Sequence, residues 1–182
     1  MDPLRYTTRD LVLIALFAAG GVAVKPLIIP IVRVATAPFG LPTGTVAGGL
    51  FMMWLVMGRV FTGKPWAATL VGVVQVGLAW VSGTLWHPGA AMIGLYAAPG
   101  VAVDLVLWRY TGGRLPLSAG LLAGAAANAT GVGLMSWIYY RLPPFAWMAS
   151  TVGGAVSGAG GGLLAWAVAR RIFGIIRQSR DE

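Results

Sequence analysis

The chain has 182 residues, 58% of them hydrophobic and 10% charged, with a formal net charge of +8 and a mean hydropathy of +0.80. A soluble domain carries about 25% charged residues, so these charges cannot coat a water-facing surface; a soluble enzyme, a disordered tail and a nucleic-acid module are excluded. The basic residues punctuate apolar runs instead of clustering as in a DNA reader. Cysteine is absent and His87 is the lone histidine, which leaves no thiol chemistry, no His-based metal cluster and no expected metal or cofactor.

A membrane helix needs about 20 mostly apolar residues. The first such run is Leu11 to about Ile31, interrupted near its end by Lys25-Pro26. It lacks a small-x-small cleavage pattern in a polar context, so it is a retained helix and not a signal peptide. The second run spans about 43–58, before Arg59. Between Lys64 and Asp104 lie 39 residues whose only titratable side chain is His87, a length for two spans. The turn formers of Ser82 to Gly89 divide them into about 65–81 and 90–108. The fifth run, about 115–139, stops at Pro143-Pro144, and the sixth covers about 146–172. The expectation is an all-α, polytopic bundle of six transmembrane helices in one integral-membrane domain, 1–182.

An even number of spans puts both termini on one side. That side collects Arg5, Arg9, Arg59, Lys64, Arg109, Arg114, Arg170, Arg171, Arg177 and Arg180; the other has Lys25, Arg33 and Arg141. The positive-inside rule makes the first side cytoplasmic, giving an N-in, C-in protein of the cell's inner membrane.

Polar side chains within spans are few and therefore informative. Asp104, near the inner end of the fourth run, reads as an interfacial carboxylate paired with Arg109 or Arg114, or as a proton or cation site. Asn128, midway along the fifth, suits a helix–helix hydrogen bond or a ligand contact. Gln75 reads as an interhelical contact. Trp80, Trp86, Trp137, Tyr139, Tyr140 and Trp147 gather at the outer ends, as an interfacial belt would and as a pocket stacking a flat ring would. Tyr96 shares a helical face with Met92 and suits a pocket wall. Ser157-Gly158 looks like a fragment of a membrane serine protease, but His87 lies in a distant loop and a nucleophile needs its base within about 3 Å. There is no P-loop.

Small residues recur at four-residue spacing in Gly153-Ser157-Gly161, Gly154-Gly158-Gly162 and Gly120-Gly124-Asn128, which reads as close helix packing. Ala15-xxx-Ala19-xxx-Ala23 on the first run reads the same way from spacing alone. The opening Thr7-Thr8-Arg9-Asp10-Leu11-Val12-Leu13-Ile14-Ala15-Leu16-Phe17-Ala18-Ala19, with the length and six-run layout, resembles substrate-binding S-components of energy-coupling factor (ECF) vitamin transporters. Gly63-Lys64-Pro65-Trp66-Ala67-Ala68, Gly94-Leu95-Tyr96 and Asp104 to Tyr110 are similar to the YkoE-type branch, associated with thiamine or hydroxymethylpyrimidine. The loop from Gly83 to Gly89 departs from that pattern. The His-containing N-terminal metal site of the nickel and cobalt branch has no counterpart in Met1-Asp2-Pro3-Leu4.

The resemblance implies a non-enzymatic subunit that holds a vitamin in an outward-facing pocket built from the outer halves of helices four to six, under the loop at about 32–42. Candidate lining residues are Tyr96, Asn128, Met135, Trp137 and Trp147, with Trp86 and His87 at the rim. Ala15 and Ala19 match the family's docking motif for the transmembrane coupling subunit. The implied partners are that subunit, two ABC-type ATPases that hydrolyse the ATP, the vitamin and the bilayer, with no nucleic acid. Two other readings stand beside it: a self-sufficient small transporter or channel, and a structural membrane protein with no ligand. A self-sufficient transporter usually shows inverted repeats or charged residues along a path, and neither is evident here.

Overall fold

The computed structural model describes residues 5–39, 42–85, 89–110, 112 and 114–181. Trp86 and His87, the expected rim of the pocket, lie outside them, as do Met1 to Leu4. The described residues form six helices and no strand: α1 (Thr8–Thr36), α2 (Gly44–Thr62), α3 (Ala67–Val81), α4 (Ala91–Val106), α5 (Leu117–Ile138) and α6 (Pro144–Asp181), with a 3-10 turn, Ala37–Phe39, after α1. Four helices are long and apolar enough to cross a membrane: α1, α2, α5 and the Pro144–Ile175 part of α6. These make the chain a multi-pass membrane protein. α3 and α4 are equally apolar but have only 15 and 16 residues.

Local chemistry explains the ends. Thr7 caps α1: its Oγ1 accepts from the Asp10 backbone N–H at 3.3 Å, and Asp10 Oδ2 accepts from the Thr7 N–H at 2.9 Å. This reciprocal box satisfies two donors that a helix start leaves without partners. α2 ends where Gly63 takes φ 65°, a left-handed turn that suits glycine, and returns its N–H to the Arg59 carbonyl. The first run was expected to break at Lys25-Pro26. Instead α1 continues through Pro26 and Pro30 to Thr36. Proline removes one intrahelical donor, but the apolar surroundings of a membrane helix offer the backbone no better alternative than helix.

α2 is the hub, in contact with all five other helices. It is correspondingly the most buried of the spanning helices. The α1 backbone packs against α2 and α3, and the α6 backbone against α2 and α5. The closest approaches lie where the small residues were expected to pack. Gly124 faces Gly158 and Gly162 across α5 and α6, and Gly49 faces Ser157 and Gly161 across α2 and α6, with no room for a Cβ at any of these glycines. Ser157 joins its neighbour as well: its Oγ donates to the Val46 carbonyl and accepts from the Gly49 N–H at 3.1 Å. That role accounts for Ser157 without catalysis.

Both chain ends meet at one end of the bundle, called here the terminal end. Tyr6, before α1, donates its hydroxyl to the Pro65 carbonyl between α2 and α3. Phe61 near the end of α2 stacks on Phe173 of α6, ring centroids 5.2 Å apart. The main apolar core fills this half, around Leu55, Val56, Val60, Val71, Val103 and Leu107. The far half is packed by a smaller cluster of Val76, Met92 and Leu95.

Candidate ligand-binding site

The far half encloses a cavity of about 210 Å³. That is below the range of about 300 to 1,000 Å³ of pockets for drug-sized ligands, so the space limits a guest to a smaller molecule. α1 contributes Lys25 and Ile29, α2 contributes Gly44, Gly48, Phe51, Met52 and Leu55, and α3 contributes Gln75. α4 supplies Met92, Leu95, Tyr96 and Pro99, and α5 supplies Asn128, Gly131, Val132 and Met135. Pro42, Thr43, Thr84 and Tyr140 complete it from the connecting segments. The resemblance implied walls from helices four to six; the cavity is walled by α1 to α5, because the glycine contacts hold α6 behind α2 and α5.

Of the sequence-derived candidates, Tyr96, Asn128 and Met135 line this cavity together. Trp137 does not: it is 68% exposed and rests edge-on against Trp147, with ring centroids 6.4 Å apart. Trp147 donates its indole N–H to the Gly133 carbonyl at 2.9 Å and lies outside the lining. These two, with exposed Trp80 and Tyr140, match the amphipathic surface of an interfacial belt. Asn128 is buried, and its Nδ2 donates to the Gly44 carbonyl at 3.0 Å and the Gly154 carbonyl at 2.8 Å. It ties α5 to α2 and α6 while its Oδ1 presses on Gly48, where a Cβ would collide with it. The helix–helix hydrogen bond expected of Asn128 is thus present, and the same side chain lines the cavity.

Gln75 also faces the cavity. Its Nε2 lies against Gly21 of α1, is buried, and has no hydrogen-bond partner among the described residues. A buried amide donor without an acceptor is costly. Lys25, read from sequence only as a topology charge, places its Nζ 4.2 Å from the centre of the Tyr96 ring and 6.0 Å from that of Phe51. The signal that could have found it was a lone cation inside an apolar run, the usual mark of a functional group in a membrane segment.

The terminal side of the cavity is closed by a buried polar plug. Arg59 is one helical turn beyond Leu55 on α2, and Asp104 is five residues beyond Pro99 on α4. Each is 2% exposed, and Arg59 Nε lies 3.4 Å from Asp104 Oδ1 without the alignment of a hydrogen bond. The expected partners of Asp104, Arg109 and Arg114, are both exposed loop residues. Arg59 takes their place because α2 and α4 bring it inside the bundle. Asp104 also accepts from the Thr69 N–H at 2.8 Å and Thr69 Oγ1 at 2.7 Å, so it satisfies donors at the start of α3. Arg59 Nη2 donates to the Leu107 and Tyr110 carbonyls at 3.0 and 2.6 Å. These bonds make Asp104 a structural joint. Burial, with a smaller push from Asp104, raises the Tyr6 phenol to about 12, so it stays neutral and keeps donating to Pro65 at ordinary pH.

Ala15, Ala19 and Ala23 are exposed along α1, beside exposed Leu11, Val12 and Leu16. Their exposure among the described residues sets this stripe apart from the glycine stripes of α5 and α6, which pack inside the bundle. Among the described residues there is no cluster of His, Asp or Glu able to hold a metal ion.

No family model matches the chain, and no curated protein matches it. Among solved structures it is similar to one described as the crystal structure of an S-component of an ECF transporter. The TM-score is 0.72 at 20% identity, over 92% of this chain and 86% of that one. The chain therefore has the fold of an S-component.

Proposed function

We propose that this protein is the substrate-binding S-component of an ECF transporter, taking up a vitamin or vitamin precursor, and is not itself an enzyme. The observation that carries the reading is a ring-lined cavity with directed polar groups, set in a bundle whose fold is that of an S-component. Phe51 and Tyr96 suit a flat heterocycle, and Gln75 and Asn128 suit its polar edge. The choice of thiamine or hydroxymethylpyrimidine rests on the sequence resemblance of residues 63–68, 94–96 and 104–110. The rim is assigned to Trp86 and His87 by their place in the chain, and six spans with both termini cytoplasmic follow from the ten-to-three division of basic residues.

The coupling partner in this reading is a transmembrane subunit carrying two ATPases, docked on the open face of α1. Ala15 and Ala19 give that face a shallow groove where another helix can approach closely. The test is co-purification of the chain with an ECF coupling subunit and its ATPases. Replacing Ala15 and Ala19 with Trp is expected to abolish the complex while leaving ligand binding within about twofold, since neither side chain reaches the cavity. Ligand uptake by the protein alone in liposomes would instead establish a self-sufficient transporter.

A further inference from the structure

The cavity contains a cation with no protein counter-charge. Lys25 makes no ion pair among the described residues; what its ammonium meets there is the faces of Tyr96 and Phe51. The sequence explains why. Its only acids are Asp2, Asp10, Asp104, Asp181 and Glu182. Asp10 opens α1, Asp104 sits in the plug with Arg59, and Asp181 closes α6, all at the terminal end. No acid occurs between Asp10 and Asp104, a stretch that holds both the α1–α2 and the α3–α4 connections. The remaining far-end connection, from Tyr139 to Pro143, has none either and adds Arg141.

A surface lysine needs no such explanation, because its stem can lie along apolar surface while the ammonium reaches water. Lys25 is differently placed. α1 runs on for 11 residues beyond it, about 16 Å of helix, and its Nζ is held over a ring that lines the cavity. Ring quadrupoles attract a cation but do not neutralise it. Gln75 comes from α3, the neighbour of α1. Its unpartnered Nε2 abuts Gly21, one helical turn from Lys25 along α1. The charge that the cavity offers a guest at this level is thus positive, and it offers no carboxylate to balance a cation.

We infer that the ligand is a small ring compound bearing an acidic group, a carboxylate or a phosphate, which pairs with Lys25. This rests on the cavity being the ligand site, and within the vitamin class it puts acidic ring compounds in place of thiamine and hydroxymethylpyrimidine, which the sequence resemblance alone suggested. Charge-assisted pairing in a water-poor pocket is strong, and the acid-free far end, with Lys25, Arg33 and Arg141, would draw an anion inward. Thiamine, a permanent cation, is what this chemistry disfavours; a phosphate ester or a ring carboxylate is what it favours.

The test compares matched pairs on the purified protein: nicotinate with nicotinamide, hydroxymethylpyrimidine monophosphate with hydroxymethylpyrimidine, and thiamine monophosphate with thiamine. At least one acidic member is expected to bind tighter than its partner by about tenfold or more. Lys25→Met should bring the ratio to within about twofold, and Lys25→Arg should retain it, which separates charge from folding. Equal or tighter binding of the uncharged or cationic members overturns the inference, as does a ratio that survives Lys25→Met. Compounds released by denaturing extraction are then identified by mass spectrometry. An acidic ring compound present in wild type and lost in Lys25→Met supports the inference. A neutral or cationic ring compound retained by both, or a phospholipid alone, overturns it and leaves the transporter reading standing. Binding of no pair together with release of no compound overturns the ligand-site reading itself, and this inference with it.

Discussion

At the scale of single residues, the polar groups inside the bundle divide into those that hold it together and those that face a guest. Asp104 belongs to the first kind. Removing one partner of a buried pair leaves the other charged and unsolvated, at a cost of about 3–5 kcal/mol. Asp104→Leu is therefore expected to lower the thermal midpoint in detergent sharply, while Arg59→Met with Asp104→Leu recovers much of the loss. A double variant no better than the single one would show that the hydrogen bonds to Thr69, not the charge pair, set the cost. Gln75 belongs to the second kind. Its amide donor has no acceptor within the described chain, so Gln75→Leu should leave the melting temperature of the ligand-free protein unchanged or higher. Ligand affinity should fall by roughly tenfold, the value of about one hydrogen bond. A loss of stability with no loss of affinity would return Gln75 to a packing role.

At the scale of helices, glycine decides which pairs approach closely. A Cβ at Gly124 would meet the Gly158 carbonyl and the Gly162 backbone, which cannot swing away as a side chain would. Gly124→Ala is expected to cost about 1–3 kcal/mol through overpacking. Gly160→Ala on α6 meets nothing within 4 Å and should be neutral or slightly stabilising, since alanine favours helix. Thermal midpoints of the two variants check this; equal effects would mean that the α5–α6 contact does not limit stability. The same packing bears on the cavity. Because α6 lies against α5 and α2 through bare backbone, it stays outside the ring of helices around the ligand space, and α1 closes the ring instead.

At the scale of the whole molecule, the bundle has two unlike faces and two unlike ends. One face of α1 is left uncovered, with three alanines along it. The Ala15/Ala19 tryptophan variant tests that face by complex formation, whereas the Lys25 and Gln75 variants test the cavity by affinity. The two sets should move independently, because the exposed alanines and the cavity-facing Lys25 lie on different sides of α1. The terminal end is sealed by the Arg59–Asp104 plug and the denser core, and the far end holds the cavity.

Much of this was legible in the sequence. Charge scarcity and the spacing of apolar runs gave six helices, four with bounds within about four residues of those observed, while α1 runs five residues and α6 nine residues past the expected ends; burial in lipid demands helix whatever the tertiary packing. Four-residue glycine spacing pointed to the contacts of α5 and α6, because helical periodicity alone sets which residues share a face. Tyr96, Asn128 and Met135 could be placed near one another by depth. Depth says nothing of rotation, however, and rotation put Trp137 and Trp147 on the outside. Tertiary structure alone brought Arg59 to Asp104 over local candidates, set Gln75 and Lys25 on the cavity, and left Ala15 and Ala19 uncovered. Each depends on which helices lie side by side, a choice made by contacts between residues far apart in the chain.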